Sequence, residues 1–422
     1  MESAPKGPQP VSPQERILSL DVLRGFAVLG ILIMNIQSFS MIQAAYINPT
    51  AYGDLSGLNR LVSVLSYIFA DHKFMTIFSL LYGAGILMLT RRAEARGVRP
   101  AGLHYKRTVW LIIFGLLHAY LLWYGDILFK YGVCALLAYP FRNLKPGRLF
   151  ATGIVIFSVT FGLYLLFGFS IPYWPEEALR NTMKMWDPDA ASIAEQICVY
   201  QGGWIEQMSL RIPEAIGGQT FLMAIRTGWR VLGLMLMGMA LMKWGVLTAE
   251  RSRRFYSYML AIGFAVGFPI VILGLIMNNR AGWAMEYSLF QGGLFNYWGS
   301  IFVSGGYIAM VMLACSSAAR GLLLRTLSAV GRMAFTNYIV QSLICTTIFY
   351  GHGFGLFGQV ERKIQILMVF AIWIFQLLVS TLWLKYFRYG PIEWLWRTLT
   401  YGKLQPMRQR EAATHSASGG GH

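Results

Sequence analysis

Apolar residues in this 422-residue chain fall into long blocks separated by short polar segments. A helix needs about 20 apolar residues to cross the hydrocarbon core of a bilayer. Ten blocks approach this length, so we predict an all-α bundle of ten membrane-spanning helices. They cover residues 20–42, 66–90, 108–124, 126–141, 150–171, 227–247, 256–276, 297–317, 333–350 and 364–386.

The segments between and beyond these blocks complete the predicted organisation. Residues 1–17 are rich in proline and are expected to be a disordered N-terminus, and 401–422 a disordered tail. A single transmembrane domain is predicted for 18–400. Its longest connection, 172–225, is acidic and divided by four prolines, which favours short interfacial helices.

Lysine and arginine are distributed unequally between alternate connections. Of 36 such residues, 24 lie in or beside the six segments that include both termini, and 7 lie in the five alternate segments. Basic residues accumulate on the cytoplasmic side of a membrane protein. We therefore predict cytoplasmic termini, an outer location for 172–225, and a bacterial inner-membrane protein.

Composition narrows the function classes. Hydrophobic residues make up 56% of the chain and charged residues 13%, about half the share in soluble domains. This excludes an ordinary soluble globule and intrinsic disorder. The net charge of +17 follows from topology, so no nucleic-acid partner is expected, whereas the lipid bilayer is. The four cysteines have no metal-binding spacing, and no metal site is predicted.

Ionisable residues inside apolar blocks are costly and mark candidate sites. In the first block, Asp21 and Arg24 are three residues apart and share a helix face, with Asn35 about three turns further on. Two interpretations stay open. The pair is a structural ion pair, or Arg24 faces an anionic ligand from the cytoplasm.

The run Asp71-His72-Lys73 lies in the second block. Consecutive helical positions point in different directions, so the three side chains cannot all face lipid. Either the run anchors the helix at the outer interface or it lines a wet cavity. An imidazole can accept and return a proton, which makes His72 a candidate catalytic base.

His118 is the second candidate base, placed mid-way along the third block. Asp126 follows about two turns later at a predicted hairpin, and Lys130 is four residues after Asp126 on the same face. A carboxylate there could orient the imidazole. A satisfied interhelical hydrogen bond is the alternative explanation of His118.

Two further polar pairs are spaced four residues apart, on single helix faces. Arg226 and Arg230 suit a carboxylate or phosphate on the outer side, or ion pairs with the acidic segment just before them. Asn337 and Gln341 suit interhelical hydrogen bonds, or a substrate contact.

The motifs carry a family resemblance. They are Leu20-Asp21-Val22-Leu23-Arg24-Gly25, Lys73-Phe74, Gly115-Leu116-Leu117-His118, Gly125-Asp126-Ile127-Leu128 and Gly331-Arg332-Met333-Ala334-Phe335-Thr336-Asn337-Tyr338. In this order they resemble the YeiB-like family of bacterial inner-membrane proteins, a domain of unknown function. The first motif is also similar to that of acyltransferase-3 enzymes and the heparan glucosaminide acetyltransferase.

The wider resemblance implies transfer of an acyl group across the membrane. Acetyl-CoA or another acyl-CoA would be a co-substrate on the cytoplasmic side, with no tightly bound cofactor. The acceptor would be a hydroxyl or amine of an envelope glycan, lipid or small molecule. Donor phosphates would meet Asp21, Arg24 and a basic segment that includes Arg91, Arg92 and Arg107.

Two other function classes remain open on the same residues. In a transporter of a small anionic solute, Lys73, Lys130, Arg226 and Arg230 would line a path. In a non-catalytic membrane assembly protein, each polar pair would serve packing alone. Missing repeat symmetry argues against the transporter.

Overall fold

A computed structural model describes residues 17–316 and 321–409, and regular structure in these ranges is helical apart from one bridge between Phe387 and Arg408. The first nine α-helices are α1 (Leu18–Ser40), α2 (Ala44–Ile47), α3 (Gly57–Phe69), α4 (Lys73–Ala95), α5 (Pro100–Leu117), α6 (Leu128–Ala138), α7 (Pro146–Ser170), α8 (Glu176–Trp186) and α9 (Ala190–Gln201). The others are α10 (Met208–Gln219), α11 (Gly228–Lys243), α12 (Arg253–Arg280), α13 (Met285–Ser288), α14 (Gln291–Cys315), α15 (Leu322–Arg332), α16 (Ala334–Phe349), α17 (Arg362–Tyr386) and α18 (Pro391–Tyr401).

The all-α, multi-pass architecture agrees with the prediction, since each of the ten apolar blocks contains a helix. Within the described ranges, seven segments are long and apolar enough to cross a membrane. They are Leu18–Ser40, Gly57–Ala95, Pro146–Tyr173, Met208–Lys243, Arg253–Arg280, Met285–Cys315 and Arg362–Tyr386. The other three blocks hold shorter α-helices. Helix α6 has 11 residues and α16 has 16, and α5 ends at Leu117, where a π-helical turn begins.

Helix α11 forms the centre of the bundle. Its side chains from Val231 to Ala240 are buried on all faces. Glycines bring its neighbours close, because a Cβ at Gly83 of α4 would collide with the Met235 carbonyl, and one at Gly153 of α7 would meet the Gly233 carbonyl. Small residues at crossings are the usual device of membrane helix packing.

Helices α7, α12 and α17 form the apolar outer surface. Val155, Ile262 and Leu367 are each more than half exposed. In a multi-pass protein such a surface contacts the hydrocarbon of the bilayer.

Contacts separate two ends of the bundle. At one end, here called the basic end, Ser19 bonds Leu247, Arg24 reaches Gly331, and Lys243 bonds Arg142 and Leu144. At the other, here called the opposite end, Asn48 bonds Trp186, Trp186 bonds Trp283 and Gln201 bonds Phe357. Segments predicted to be cytoplasmic thus meet at one end and segments predicted to be outer at the other. The ten-span topology and the cytoplasmic orientation remain predictions.

The structure agrees with the prediction for the long connection and differs from the prediction for the tail. Residues 172–225 fold into α8, α9 and α10, with a π-helical turn at Met223–Thr227, which agrees with the expectation of short helices. Residues 401–409 of the predicted disordered tail instead contact α17, since the Gln409 amide donates to Tyr386 and the Arg388 amide to Met407. Residues 1–16 and 410–422, where disorder was predicted, lie outside the described residues.

Two helix boundaries require correction. The second block was predicted to be continuous from 66, but the helix breaks at Ala70–His72, and His72 has a positive φ of 65°. The third block was predicted to begin at 108, whereas α5 begins at Pro100, in the basic segment. His118 therefore lies at the end of α5 instead of mid-way along a span.

Candidate functional site

A cavity of about 320 Å³ opens at the basic end. Its walls come from α1, α4, α5, α6, α15, α16 and α18. Along α4 the lining runs from Phe78 to Ala93, a stretch of about 22 Å at 1.5 Å per residue, and Arg96 follows just beyond the helix. The cavity therefore extends from the basic end well into the bundle.

Arginines dominate the mouth of this cavity. Six arginines line it against two carboxylates: Arg24, Arg92, Arg96, Arg107, Arg332 and Arg397 against Asp21 and Glu393. Arg24 bonds Asp21 at 2.9 Å, which realises the predicted ion pair and leaves Arg24 about one-third exposed. An excess of guanidinium groups in a partly dry recess suits a polyanion.

Four of the five residues that were predicted to bind a donor line the cavity. They are Asp21, Arg24, Arg92 and Arg107. Arg91, the residue before Arg92 on α4, is exposed and does not line the cavity.

Helix α18 supplies side chains that the sequence did not single out. The Arg107 guanidinium lies 4.2 Å from the Trp396 ring, and the indole donates to the Arg107 carbonyl. Arg397 lies over the Tyr389 ring at 4.7 Å. These residues follow the last apolar block, so only the amphipathic pattern of 391–401 could have indicated a helix packed back on the bundle.

Glu393 joins α18 to the first turn of α16. Its carboxylate accepts from the amides of Phe335 and Thr336, at 2.7 and 3.1 Å, and from the Thr336 hydroxyl at 2.6 Å. Free amides at a helix start need such acceptors. Burial raises the pKa of Glu393, and these hydrogen bonds oppose the shift.

The inner end of the cavity is aromatic. Tyr82, Tyr131 and Tyr338 line it. The Tyr338 hydroxyl is buried, beside the backbone of Ile127. The Tyr338 ring lies 5.0 Å from the His118 ring and separates that imidazole from the cavity.

Behind Tyr338, three buried side chains form a chain of hydrogen bonds. His118 Nδ1 lies 3.0 Å from Asp126 Oδ1, and His118 Nε2 lies 2.8 Å from Ser342 Oγ. Because the carboxylate only accepts, Nδ1 carries the proton and Nε2 accepts from the Ser342 hydroxyl. A hydroxyl, an imidazole and a carboxylate in this order form the arrangement of an activated nucleophile.

Local backbone structure explains how His118 and Asp126 meet. His118 begins a π-helical turn that ends at Leu122, and Asp126 follows the next turn of the chain. Gly115 allows the approach, because a Cβ there would collide with the backbone of Phe129. The amide of Phe129 donates to Asp126 Oδ2 at 2.7 Å. Single π turns of this kind are common at functional sites.

His72, the other predicted base, belongs to a separate polar cluster near the opposite end. The Arg226 guanidinium lies 2.6 Å from His72 Nε2. Asn296 bridges the two neighbours of His72 in sequence, since it accepts from the Lys73 ammonium at 2.7 Å and donates to Asp71 at 2.6 Å. None of these residues lines the cavity.

Arg230 is fully buried in the same region. It donates to the Thr76 and Ser300 hydroxyls, each at 2.8 Å, and to the Tyr297 carbonyl. The expected ion pairs between Arg226 or Arg230 and the acidic connection 172–225 are not formed among the described residues. The arginines instead join α4, α11 and α14, because buried guanidinium donors need close acceptors.

The remaining predicted substrate contacts are dispersed. Asn337 bonds Val330 and Ser380, and Gln341 bonds Val28 and Gln376, which ties α16 to its neighbours. Asn35 and Lys130 are half-buried and do not line the cavity.

The described residues form neither a metal-binding cluster nor a disulfide bond. The described residues contain no group of three or more histidine, cysteine or acidic side chains that could hold a metal ion. All four cysteines, which lie in the described ranges, are free.

Comparison with known proteins identifies the family. A family model described as "Protein of unknown function (DUF418)" matches residues 241–403. The chain is 34% identical to the uncharacterized protein YeiB of Escherichia coli (strain K12), over 92% of this chain and 96% of that protein. It is 32% identical to the uncharacterized protein YxaH of Bacillus subtilis (strain 168), over 95% and 98% of the two chains.

No solved structure matches this chain. The YeiB and YxaH similarities extend over nearly the full length of both proteins. This multi-pass membrane protein therefore belongs to the YeiB-like family.

Proposed function

We propose that this protein is a transmembrane acyltransferase that takes an acyl group from a cytoplasmic acyl-CoA-type donor. The acceptor is a hydroxyl or amine presented from the other side of the membrane. One observation carries the proposal: an arginine-lined cavity ends at Tyr338, whose ring lies 5.0 Å from the imidazole bonded to Asp126.

The cavity suits a donor with a charged head and a long apolar arm. Coenzyme A carries its phosphates at one end and its thioester at the other. Arginines hold phosphates with paired hydrogen bonds, and six of them line the cavity. The lining extends about 22 Å along α4, so an extended arm of the donor could place the thioester near Tyr338.

His118 supplies the proton transfer that acyl transfer needs. The attacking oxygen or nitrogen must lose a proton, and a neutral imidazole can take it. Asp126 fixes the tautomer in which Nε2 is the accepting nitrogen, and it stabilises the imidazolium that forms. The buried position of His118 keeps water from the thioester.

The test pairs two adjacent arginines of α4. Arg92 lines the cavity and Arg91 does not, so Arg92→Gln should weaken acetyl-CoA binding about tenfold, with Arg91→Gln as the matched control. Loss of one charge-assisted hydrogen bond costs about 1.5–3 kcal/mol, and 1.4 kcal/mol is a factor of ten. Titration of the purified protein with acetyl-CoA and octanoyl-CoA measures the affinity.

A turnover assay separates binding from chemistry. Release of the CoA thiol is followed with ethanolamine, which offers a hydroxyl and an amine, as the acceptor, and the rate without protein is subtracted. His118→Ala should abolish release and leave the affinity for the donor unchanged. Equal affinities for both arginine variants, or no binding of either thioester, would contradict the proposal. Flux of a small anion through proteoliposomes without any thioester would support the transporter alternative.

A further inference from the structure

We infer that Ser342 is the acyl carrier of this protein, so that transfer proceeds in two steps through a serine ester. This inference rests on the proposed function and specifies its path. A base at His118 would have to act through Nε2, because Nδ1 faces Asp126. In the resting protein Nε2 already contacts the Ser342 hydroxyl at 2.8 Å, so Ser342 is the group that this base would deprotonate.

The geometry of Ser342 is that of an activated hydroxyl. It is buried, as are His118 and Asp126, and it comes from α16, which packs against the π-helical turn that begins at His118. A serine that served only helix packing would be satisfied by the carbonyl one turn earlier. Here that carbonyl, of Tyr338, is 3.4 Å away, and the imidazole is the closer partner.

Ser342 does not line the cavity, so in the first step the Tyr338 side chain must move aside before Ser342 Oγ can reach the thioester carbonyl. Ser342 Oγ then attacks that carbonyl and its proton passes to His118 Nε2. The C–S bond breaks, and the CoA sulfur leaves with the proton from His118 as a thiol. In the second step, the acceptor hydroxyl or amine attacks the serine ester and gives its proton to His118. Ser342 leaves and regains that proton. Neither step needs a further reactant.

Both tetrahedral intermediates need a donor for the oxyanion. Tyr338 precedes Ser342 by four residues and therefore lies on the same face of α16. Tyr338 lines the cavity, and its hydroxyl is buried beside the Ile127 backbone. The movement that connects Ser342 with the cavity would also free this hydroxyl to donate to the substrate oxygen.

A serine ester also explains how one base can serve two sides of a membrane. The donor cavity is lined by arginines of the basic end, while the acceptor is proposed to come from the other side of the membrane. When the acyl group stays on Ser342, donor and acceptor need never be present together. The CoA thiol can leave before the acceptor arrives.

Covalent labelling tests the inference. The purified full-length protein is incubated with radiolabelled acetyl-CoA, or with octanoyl-CoA if only that thioester is turned over, and is then denatured. We expect label in the wild type on the peptide that contains Ser342. Ser342→Ala should lose the label and reduce CoA release at least about 10³-fold, while donor affinity is retained.

Two further variants make the result specific. Thr346→Val removes another buried hydroxyl of α16, one turn beyond Ser342, and should keep both label and turnover. Ser342→Cys should form a thioester, which neutral hydroxylamine cleaves far faster than the oxygen ester of the wild type. A change in this sensitivity places the acyl group on position 342, which a structural role could not do.

The outcomes distinguish the inference from the proposed function. If Ser342→Ala releases CoA at the wild-type rate, or no label forms during turnover, Ser342 is not the carrier while the acyltransferase proposal stands. If the wild type releases no CoA from either thioester, the proposed function itself fails and the inference falls with it.

Discussion

Asp126 performs two tasks with its two oxygens. Oδ1 lies 3.0 Å from His118, and Oδ2 accepts the backbone amide of Phe129 at 2.7 Å. The first contact sets the tautomer of the imidazole, and the second fixes the carboxylate at the start of α6. An asparagine at this position would have the same shape, but its NH₂ group would donate to His118 Nδ1 where the carboxylate accepts from it.

Asp126→Asn should therefore impair chemistry more than binding. The asparagine amide would donate to His118 Nδ1, so Nε2 would carry the proton and could not accept from Ser342. We expect CoA release to fall about 10²–10⁴-fold with little change in donor affinity. Asp54→Asn, in an exposed turn near the opposite end, is the control. An equal loss in both variants would show that charge alone matters.

At the residue scale the sequence predicts part of this site. His118 and Asp126 are eight residues apart around a Gly125 turn, so their meeting can be anticipated from local spacing. Ser342 is 224 residues from His118, and no local pattern could place its hydroxyl on the imidazole. Arg91 and Arg92 look alike in the sequence, and only the rotation of α4 separates them.

At the element scale, glycine contacts determine how closely α4 and α11 pack. A Cβ on Gly83 would collide with the Met235 carbonyl, and one on Gly238 with the Leu80 carbonyl. Backbone atoms cannot yield as a flexible side chain can. The crossing therefore tolerates no side chain at these positions.

Gly83→Ala and Gly85→Ala give a matched pair on α4. At Gly85 an added Cβ meets nothing within 4 Å, and alanine favours a helix by about 0.5–1 kcal/mol. We expect Gly85→Ala to be neutral or stabilising. Gly83→Ala should lose about 1–3 kcal/mol through overpacking. Thermal unfolding in detergent measures both, and equal melting temperatures would contradict the tight crossing.

Apolar periodicity locates helices better than it locates their ends. All ten blocks contain helices, yet the break at Ala70–His72 and the π turn at His118 fall inside blocks that read as continuous. At both interruptions, residues make polar contacts with distant segments. Asn296 holds Asp71 and Lys73, and Ser342 holds His118. Hydropathy carries no information about such partners.

At the scale of the whole molecule, a native cysteine can test the predicted orientation. Among the four cysteines only Cys198, in α9, is exposed, and α9 lies at the opposite end. If that end is the outer one, a membrane-impermeant maleimide should label Cys198 in intact cells. Cys198→Ser should remove the label.

A cysteine introduced at the other end provides the control. Gly97 is exposed in the turn after α4, at the basic end. In the Cys198→Ser background, Gly97→Cys should react only after the membrane is permeabilised. Labelling of Gly97→Cys in intact cells would reverse the orientation.

The Glu393 contact has a consequence for biosynthesis. The first turn of α16 is capped by a carboxylate made 57 residues later than Thr336, so most of the bundle is synthesised before that cap exists. Helix α16 carries Tyr338 and Ser342, and α18 contributes Glu393 and Trp396 to the wall of the cavity. The wall of the cavity is therefore complete only after α18, the last of the described helices to be synthesised, has docked on α16.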